Sequence, residues 1–212
     1  RHPGTGAFSV GRQLAGFQPL QKPRVGLYRS FVPSMDEGWT RWILENFGWD
    51  YSSPGNARIR QGRLRDDFDV IVFPDQSPAA IRNGYRQGAM PPEYLGGLGP
   101  DGAAALKEFA EAGGTLVFLN DSSEYAIQHL AAGVKNALVG VSSRDFYCPG
   151  SLLNVRLDAP SKLTFGLPRQ FALWTESSPL LEPASPGVRA VLRYADSGVL
   201  ASGWLLGEKH IS

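Results

Sequence analysis

Short apolar runs alternate with amphipathic stretches along the first two thirds of the chain. Three of these runs predict strands, at Val25–Ser30, Asp69–Pro74 and Thr115–Leu119. Apolar residues at helical spacing follow each run, and the last such stretch extends from Asp121 to Gly133. This order predicts βαβ units, in which a mostly parallel sheet is covered by helices on both faces.

The stretch after the first strand is predicted to be a helix that buries aromatic residues. Ser34 and Glu37 have the spacing of a capping box, and Gly48 ends the pattern. Four large apolar residues recur between Ser34 and Gly48 at helical intervals, so we expect them to belong to the core. They are Trp39, Trp42, Ile43 and Phe47.

The pattern changes in the C-terminal half of the chain. Apolar and polar residues alternate over Leu153–Asp158, as in a strand with one exposed face. Two further apolar runs, Val188–Tyr194 and Val199–Leu206, flank Asp196-Ser-Gly198, which indicates a hairpin. We therefore expect antiparallel additions to the sheet in this half.

Composition narrows the class of protein without indicating a reaction. The 212 residues include 25 glycines and 16 prolines, which predict many turns. The formal net charge of +1 indicates neither a nucleic acid nor an anionic membrane as partner. The single cysteine rules out an internal disulfide, and three scattered histidines predict no metal site and no cofactor. Residues 1–23 have the composition of a linker or arm, so we expect one α/β domain over residues 24–212.

Polar residues follow each of the three predicted strands. Because ligands of open α/β sheets bind beyond the carboxyl ends of the strands, these residues could line one crevice, together with Glu124 and Cys148. They are Arg29, Ser30, Asp75, Gln76, Asn120, Asp121 and Ser122. They could equally cap helices and form turns. In particular, we expect Asp121 or Ser122 to cap the helix that runs to Leu130, with a cost of about 0.5–2 kcal/mol for Asp121→Ala.

Two motifs with possible chemistry lack the context that this chemistry needs. Gly97-Leu-Gly-Pro-Asp-Gly102 matches a dinucleotide fingerprint, but Met90–Tyr94 precedes it where the fingerprint needs a strand, so a loop-to-helix turn is favoured. A nucleophile elbow would lie after the third strand, where the chain has Asn120-Asp-Ser-Ser-Glu124. Cys148 is followed by Pro-Gly rather than by a helix, which favours a buried free cysteine over a reactive thiol.

Four segments of unusual sequence are spread over the chain from Arg24 onward. They are Arg24–Trp42 (RVGLYRSFVPSMDEGWTRW), Met90–Gly97 (MPPEYLGG), Phe146–Ser151 (FYCPGS) and Ser202–Gly207 (SGWLLG). These segments resemble the C-terminal region of a group of bacterial carboxypeptidase A-like zinc metallopeptidases. The resemblance covers most of the chain and implies a class I glutamine-amidotransferase-like domain with a flavodoxin-like sheet.

The resemblance also implies a shape without the corresponding activity. In the family, a zinc peptidase domain comes first, so this chain would be an accessory domain of a larger secreted or periplasmic enzyme, and its partner would be the peptidase domain of the same polypeptide. The nucleophilic cysteine of an amidotransferase would fall near Asn120 or Asp121, and neither is a cysteine. The family's closing segment, a Gly-x-Gly followed by an apolar strand, would come after Ser212, so we expect the sheet either to lack an edge strand or to end in loose residues.

We therefore expect a flavodoxin-like α/β domain that is not catalytic. Its role would be to pack against a catalytic domain or to bind a small-molecule or peptide ligand. One alternative is a small-molecule hydrolase or amidotransferase that uses Cys148, Asp121 or Ser122. Another is a sugar- or peptide-binding module that uses the crevice at the strand ends.

Overall fold

The computed structural model describes residues 21–158 and 161–212. The helices are α1 (Met35–Asn46), α2 (Asn56–Arg60), α3 (Pro78–Asn83), α4 (Gly99–Glu111) and α5 (Ser122–His129). The strands are β1 (Val25–Leu27), β2 (Tyr51–Ser52), β3 (Val70–Phe73), β4 (Thr115–Phe118), β5 (Val134–Asn136), β6 (Ser151–Leu157), β7 (Gln170–Thr175), β8 (Leu181–Pro183), β9 (Leu192–Tyr194) and β10 (Leu200–Ser202). Among these helices, none has the length and apolar character that crossing a bilayer requires.

A four-stranded parallel sheet forms the centre of the N-terminal part. Its strand order is β2-β1-β3-β4, and each neighbouring pair is parallel. Val25 pairs with Val70, and Val70 pairs with Thr115, so the three strands predicted from the apolar runs lie side by side. The mostly parallel α/β fold is therefore confirmed, although each strand is shorter than the run that predicted it.

One face of this sheet packs against the main hydrophobic core. Ile71 and Phe73 of β3 are fully buried there, together with Leu106 of α4 and Tyr125 of α5. Full burial of an aliphatic or aromatic side chain of this size stabilises the fold by about 1.5–3 kcal/mol. The residues of β3 that point to the other face are half-buried, and β4 has no fully buried residue because it is the edge strand.

Helix α1 begins as predicted but does not bury its aromatic residues. Ser34 Oγ accepts a hydrogen bond from the Glu37 N–H at 3.2 Å, which confirms the cap. The expected core residues are all exposed: Trp39 (57%), Trp42 (56%), Ile43 (50%) and Phe47 (76%). The half-buried side of α1 instead carries mostly polar side chains, with Leu44 as its one apolar member. Glu37 pairs with Arg41 there, and the Arg41 guanidinium packs over the Tyr51 ring of β2. The prediction that these aromatic residues are core is wrong.

The C-terminal half forms a separate antiparallel sheet around β6. Strand β7 pairs with one edge of β6, and β9 and β10 both pair with the other edge. The predicted hairpin is therefore wrong, because β9 and β10 follow one another along the same edge instead of pairing. Asn154 of β6 bonds through its backbone to Ala195 and Val199, so residues 196–198 loop out between the two strands.

A second, smaller hydrophobic cluster stabilises this half. Its buried members are Cys148, Leu153, Val199 and Ile211. Cys148 is a free, buried thiol whose Sγ lies 3.5 Å from the Thr175 carbonyl oxygen, so the prediction of a buried free cysteine is confirmed. Strands β5 and β8 form a two-stranded antiparallel sheet.

Candidate functional site

The predicted site residues lie around three neighbouring depressions at the carboxyl edge of the parallel sheet. The first, of about 280 Å³, is lined by Arg29, Ser30 and Gln76. The second, which we name the central cleft, has a volume of about 620 Å³ and is lined by Asp75 and Asn120. The third, of about 220 Å³, is lined by Asp121, Glu124 and Cys148. Ser122 lies beneath this surface and is fully buried, with its Oγ donating to the Leu119 carbonyl at 2.7 Å.

Asn120 forms the turn between β4 and α5 in an unusual backbone conformation. Its φ is +48°, in the left-handed region that residues with a Cβ seldom adopt, although asparagine enters it more readily than most of them. The Asn120 Nδ2 donates to Asp75 Oδ2 at 2.6 Å, and the Asp121 N–H donates to Asp75 Oδ1 at 3.1 Å. Asp75, at the end of the neighbouring strand β3, therefore holds this turn. A sharp, strained turn from strand to helix is the geometry of a nucleophile elbow, here with an amide at its tip.

The expected caps of α5 are not formed. Asp121 precedes the helix with a helical φ of −60°, and its side chain makes no capping hydrogen bond. Ser122 is already within the helix, and its hydroxyl donates to a carbonyl rather than accepting an N–H. The prediction that Asp121 or Ser122 caps α5 is therefore wrong, because the carboxylate of Asp75 reaches the Asp121 N–H from the adjacent strand.

Carboxylates crowd this edge of the sheet. Partial burial, then the charge of Asp75, then that of Glu176 raise the pKa of Asp36 in α1. Partial burial likewise raises the pKa of Asp121, with the charges of Asp75 and Glu124 adding to the shift. Within the described residues, none of these five carboxylates forms an ion pair. The second and third depressions are therefore acidic, whereas Arg29 lies in the first.

The central cleft also contains residues that sequence reasoning missed. Trp39 and Ile43 of α1 line it, and so do Trp174 and Thr175 of β7. The sequence gives no signal that β7 belongs to this site, since Trp174 is far along the chain from the predicted strand-end residues and reaches the cleft only through the pairing of β6 with β7. The cleft thus joins the parallel sheet to the antiparallel half.

The structure gives the glycine-rich motif a packing role. A Cβ on Gly97 would lie 2.5 Å from the Ile81 carbonyl oxygen, and one on Gly102 would lie 2.7 Å from the Leu98 Cβ. Gly99 has a φ of +58° where α4 begins. A 3₁₀ turn at Pro92–Tyr94, rather than a strand, precedes the motif. Gly97 is therefore explained by its close approach to α3, Gly102 by its contact with Leu98 at the start of α4, and Gly99 by its positive φ, as in a loop-to-helix turn.

Metal-ligating and basic side chains are dispersed over the described residues. In the ranges 21–158 and 161–212, no three His, Cys, Asp or Glu side chains come together as they would around a metal ion. His129 lies against Tyr125 and 3.2 Å from Arg82, and His210 packs against Phe146. Neither histidine is part of the lining of the three depressions.

Comparisons with known proteins identify the fold and nothing finer. No family model and no curated protein matches the chain. A protein from Thermoplasma acidophilum, provisionally described as belonging to GMP synthase, has a TM-score of 0.51 at 11% identity, over 83% of this chain and 75% of that one. Two further structures are more distant in shape. A glutamine amidotransferase from Thermotoga maritima has a TM-score of 0.47 at 11% identity, over 78% of this chain and 64% of that one. A protein from Bacteroides uniformis, provisionally described as ThuA-like, has a TM-score of 0.49 at 11% identity, over 92% of this chain and 79% of that one. The parallel sheet and the likeness to the first of these structures show a fold of the flavodoxin-like, class I glutamine-amidotransferase-like type.

Proposed function

We propose that this chain is a non-catalytic domain of amidotransferase-like fold, and that it is the accessory domain of a larger zinc carboxypeptidase. The proposed loss of catalysis rests on one observation, the identity of the residue at the turn between β4 and α5. Asn120 has the strained turn geometry of a nucleophile position, yet it presents an amide that is bonded to Asp75. An amide does not attack a carboxamide at neutral pH, because it is neither a thiolate nor an alkoxide.

The surroundings of the elbow support the same proposal. Covalent glutamine hydrolysis needs a thiolate and a base that takes and returns a proton. The thiol of Cys148 is buried in the second cluster and contacts a carbonyl oxygen rather than a base. No histidine is part of the lining of the central cleft among the described residues. Over the part of the chain that the structure describes, the residues needed for acyl transfer are therefore not assembled at this edge.

The exposed side of α1 supports the accessory role. Trp42 and Phe47 leave a large apolar area uncovered, which is typical of a surface that contacts another protein or domain. Lys22, near the start of the described chain, contacts Asp50 at 2.6 Å and the Gly48 carbonyl at 3.4 Å, just beyond the end of α1. The described part of the chain thus begins beside this surface. The four segments that resemble the carboxypeptidases point to a zinc peptidase domain as its occupant.

Ammonia release from glutamine tests the loss of catalysis. We expect the chain to show no turnover above the background of a heat-unfolded sample. The Cys148→Ser and Asn120→Ala variants serve as controls for a contaminating enzyme, because neither should change that background. Turnover that disappears in either variant would show that the edge is catalytic and would refute the proposal.

The accessory role is tested on the polypeptide with its upstream sequence. We expect that sequence to encode a zinc peptidase domain, and Trp42→Ser to increase proteolytic cleavage of the junction between the two domains. Phe165→Ser is the matched control, since Phe165 is 91% exposed and lies outside α1. An upstream sequence without a peptidase domain, or equal cleavage in both variants, would contradict the role.

A further inference from the structure

The central cleft has aromatic walls and an acidic lining. Trp39 on α1 and Trp174 on β7 are 57% and 60% exposed, so both indoles offer free surface at the cleft. Asp36, Asp75 and Glu176 contribute carboxylates to the same lining. Lysine, arginine and histidine do not occur among the described residues that line it.

The polar groups of the cleft are arranged to accept hydrogen bonds. Asp75 is bonded to the Nδ2 of Asn120, so the amide oxygen of Asn120 is the atom left to accept from a ligand. The carboxylates of Asp36 and Glu176 are acceptors without a cationic partner among the described residues. A ligand that fits this set must therefore be a donor.

A buried threonine, Thr175, also belongs to the lining of the cleft. It lines the cleft, only 4% of its surface is exposed, and its hydroxyl has no hydrogen-bond partner among the described residues. The Tyr194 phenol lies near it, but the two do not form a hydrogen bond of ordinary geometry. Because this hydroxyl is shielded from solvent, the direct contacts of a ligand would be with the exposed carboxylates and indoles of the lining.

We propose that the central cleft binds an organic cation, an ammonium or guanidinium group on an apolar stem. The carboxylates and the Asn120 oxygen would accept from the cationic group, while Trp39 and Trp174 would contact the cation and its stem through their ring faces. A metal ion suits the site less well, since no three acidic side chains come together for one ion among the described residues. This proposal rests on the proposed function in one respect, namely that Asn120 at the elbow binds the ligand and does not react with it.

Two sources share this chemistry, a free amine and a basic side chain of a peptide. Calorimetric titration distinguishes them when cadaverine and agmatine are compared with a tripeptide that ends in lysine. 1-Pentanol, which keeps the stem and lacks the charge, and methyl glucoside, a neutral polyol, are the controls. We expect saturable binding of at least one cationic probe and none of either neutral probe.

Variants assign the binding to this cleft. The double variant Asp36→Asn with Glu176→Gln should weaken the binding of the cationic probe at least about tenfold, because it removes the two carboxylate charges that lack a cationic partner among the described residues. Glu108→Gln is the matched control, since Glu108 is exposed on α4 outside the cleft, and it should leave the affinity unchanged. Binding should also weaken as the pH falls and Asp36, whose pKa is raised by partial burial and by the charges of Asp75 and Glu176, gains its proton.

Three results would overturn the proposal. They are the absence of binding by every cationic probe, equal binding of 1-pentanol and cadaverine, and equal weakening by the double variant and Glu108→Gln. Binding of methyl glucoside alone would identify a polyol site instead. Glutamine turnover is measured separately, so failure of the proposed function is distinguishable from failure of the cation site.

Discussion

Asp75 connects the unusual residues at the edge of the parallel sheet. Its carboxylate bonds both to the amide of Asn120 and to the N–H of Asp121, and its charge raises the pKa of Asp36 and Asp121. One side chain therefore holds the strained turn, replaces the missing cap of α5 and contributes to the acidity of the edge. Because Asp75 has these three roles, the residues around it must be compatible with a charged carboxylate at this position.

The backbone conformation of Asn120 leads to a first prediction. Asn120→Ala and Asn120→Gly both lose the hydrogen bond to Asp75, but only alanine has a Cβ that disfavours a φ of +48°. We expect the glycine variant to be more stable than the alanine variant by about 1 kcal/mol. Urea unfolding of both variants measures this difference. Equal stabilities would show that the turn relaxes and carries no strain.

The raised pKa of Asp121 leads to a second prediction, which replaces the capping cost expected from the sequence. Since burial and the charges of Asp75 and Glu124 raise this pKa, the folded chain binds the proton more tightly than the unfolded chain does. The contribution of the group to stability is therefore fully present below its unfolded pKa of about 3.9 and is lost as the pH rises through the folded pKa.

Asp121→Asn removes this pH-dependent loss. We expect the variant to be more stable than the unmodified chain near pH 7, by up to about 1 kcal/mol, and the advantage to disappear near pH 3. Urea unfolding at both pH values checks this, with Asp145→Asn as the control because Asp145 is also exposed and has no side-chain bond to the described residues. A lower stability of Asp121→Asn near pH 7 would restore the capping role.

At the scale of elements, the apolar pattern predicted the positions of strands and helices well. It predicted less well which side of an element packs against the rest of the protein. The runs at β1, β3 and β4 identified the parallel sheet because a strand within a βαβ fold is apolar over its whole length. Helical spacing identified α1, but the spacing does not show which side faces the protein. Arg41 over Tyr51 and the Glu37–Arg41 pair occupy the covered side, so the aromatic residues face outward.

The hairpin signal failed for a related reason. Asp196-Ser-Gly198 does form a tight local excursion, with a φ of +62° at Gly198. However, β6 is seven residues long and offers more edge than either β9 or β10 can cover. The two short strands therefore both pair with β6, and the local turn sequence contains no information about that distant partner.

The cap of α1 leads to a third prediction. Ser34 Oγ accepts from the Glu37 N–H and donates to the Asp75 carbonyl at 2.9 Å, so it joins α1 to the end of β3. Ser34→Ala loses both bonds, and we expect a cost of about 1–2 kcal/mol in urea unfolding. Ser143→Ala, at an exposed serine with no such bonds, should change stability by less than about 0.5 kcal/mol. Equal effects of the two changes would contradict the cap.

At the scale of the whole molecule, two hydrophobic clusters divide the described chain. The main one lies under the parallel sheet, and the smaller one contains Cys148 and Leu153 beneath the antiparallel sheet. The sequence indicated a change of strand type between the halves but not a second core, because apolar residues alone do not show which of them meet. One hydrogen bond between the halves runs from Asn136 Nδ2 to Glu124 at 2.7 Å.

The final prediction uses Cys148 as a reporter of how these clusters open. The thiol is 2% exposed, so a thiol reagent reaches it only when the smaller cluster opens, and we expect slow labelling of the folded chain. Leu153→Ala should cost about 2–5 kcal/mol locally and speed labelling by at least about tenfold. Leu106→Ala removes a similar side chain from the main core. At reagent concentrations low enough for the smaller cluster to open and close many times before Cys148 reacts, this variant should leave the labelling rate nearly unchanged. Equal acceleration by both variants would show that the two clusters unfold as one unit, and rapid labelling of the unmodified chain would show that Cys148 is reactive.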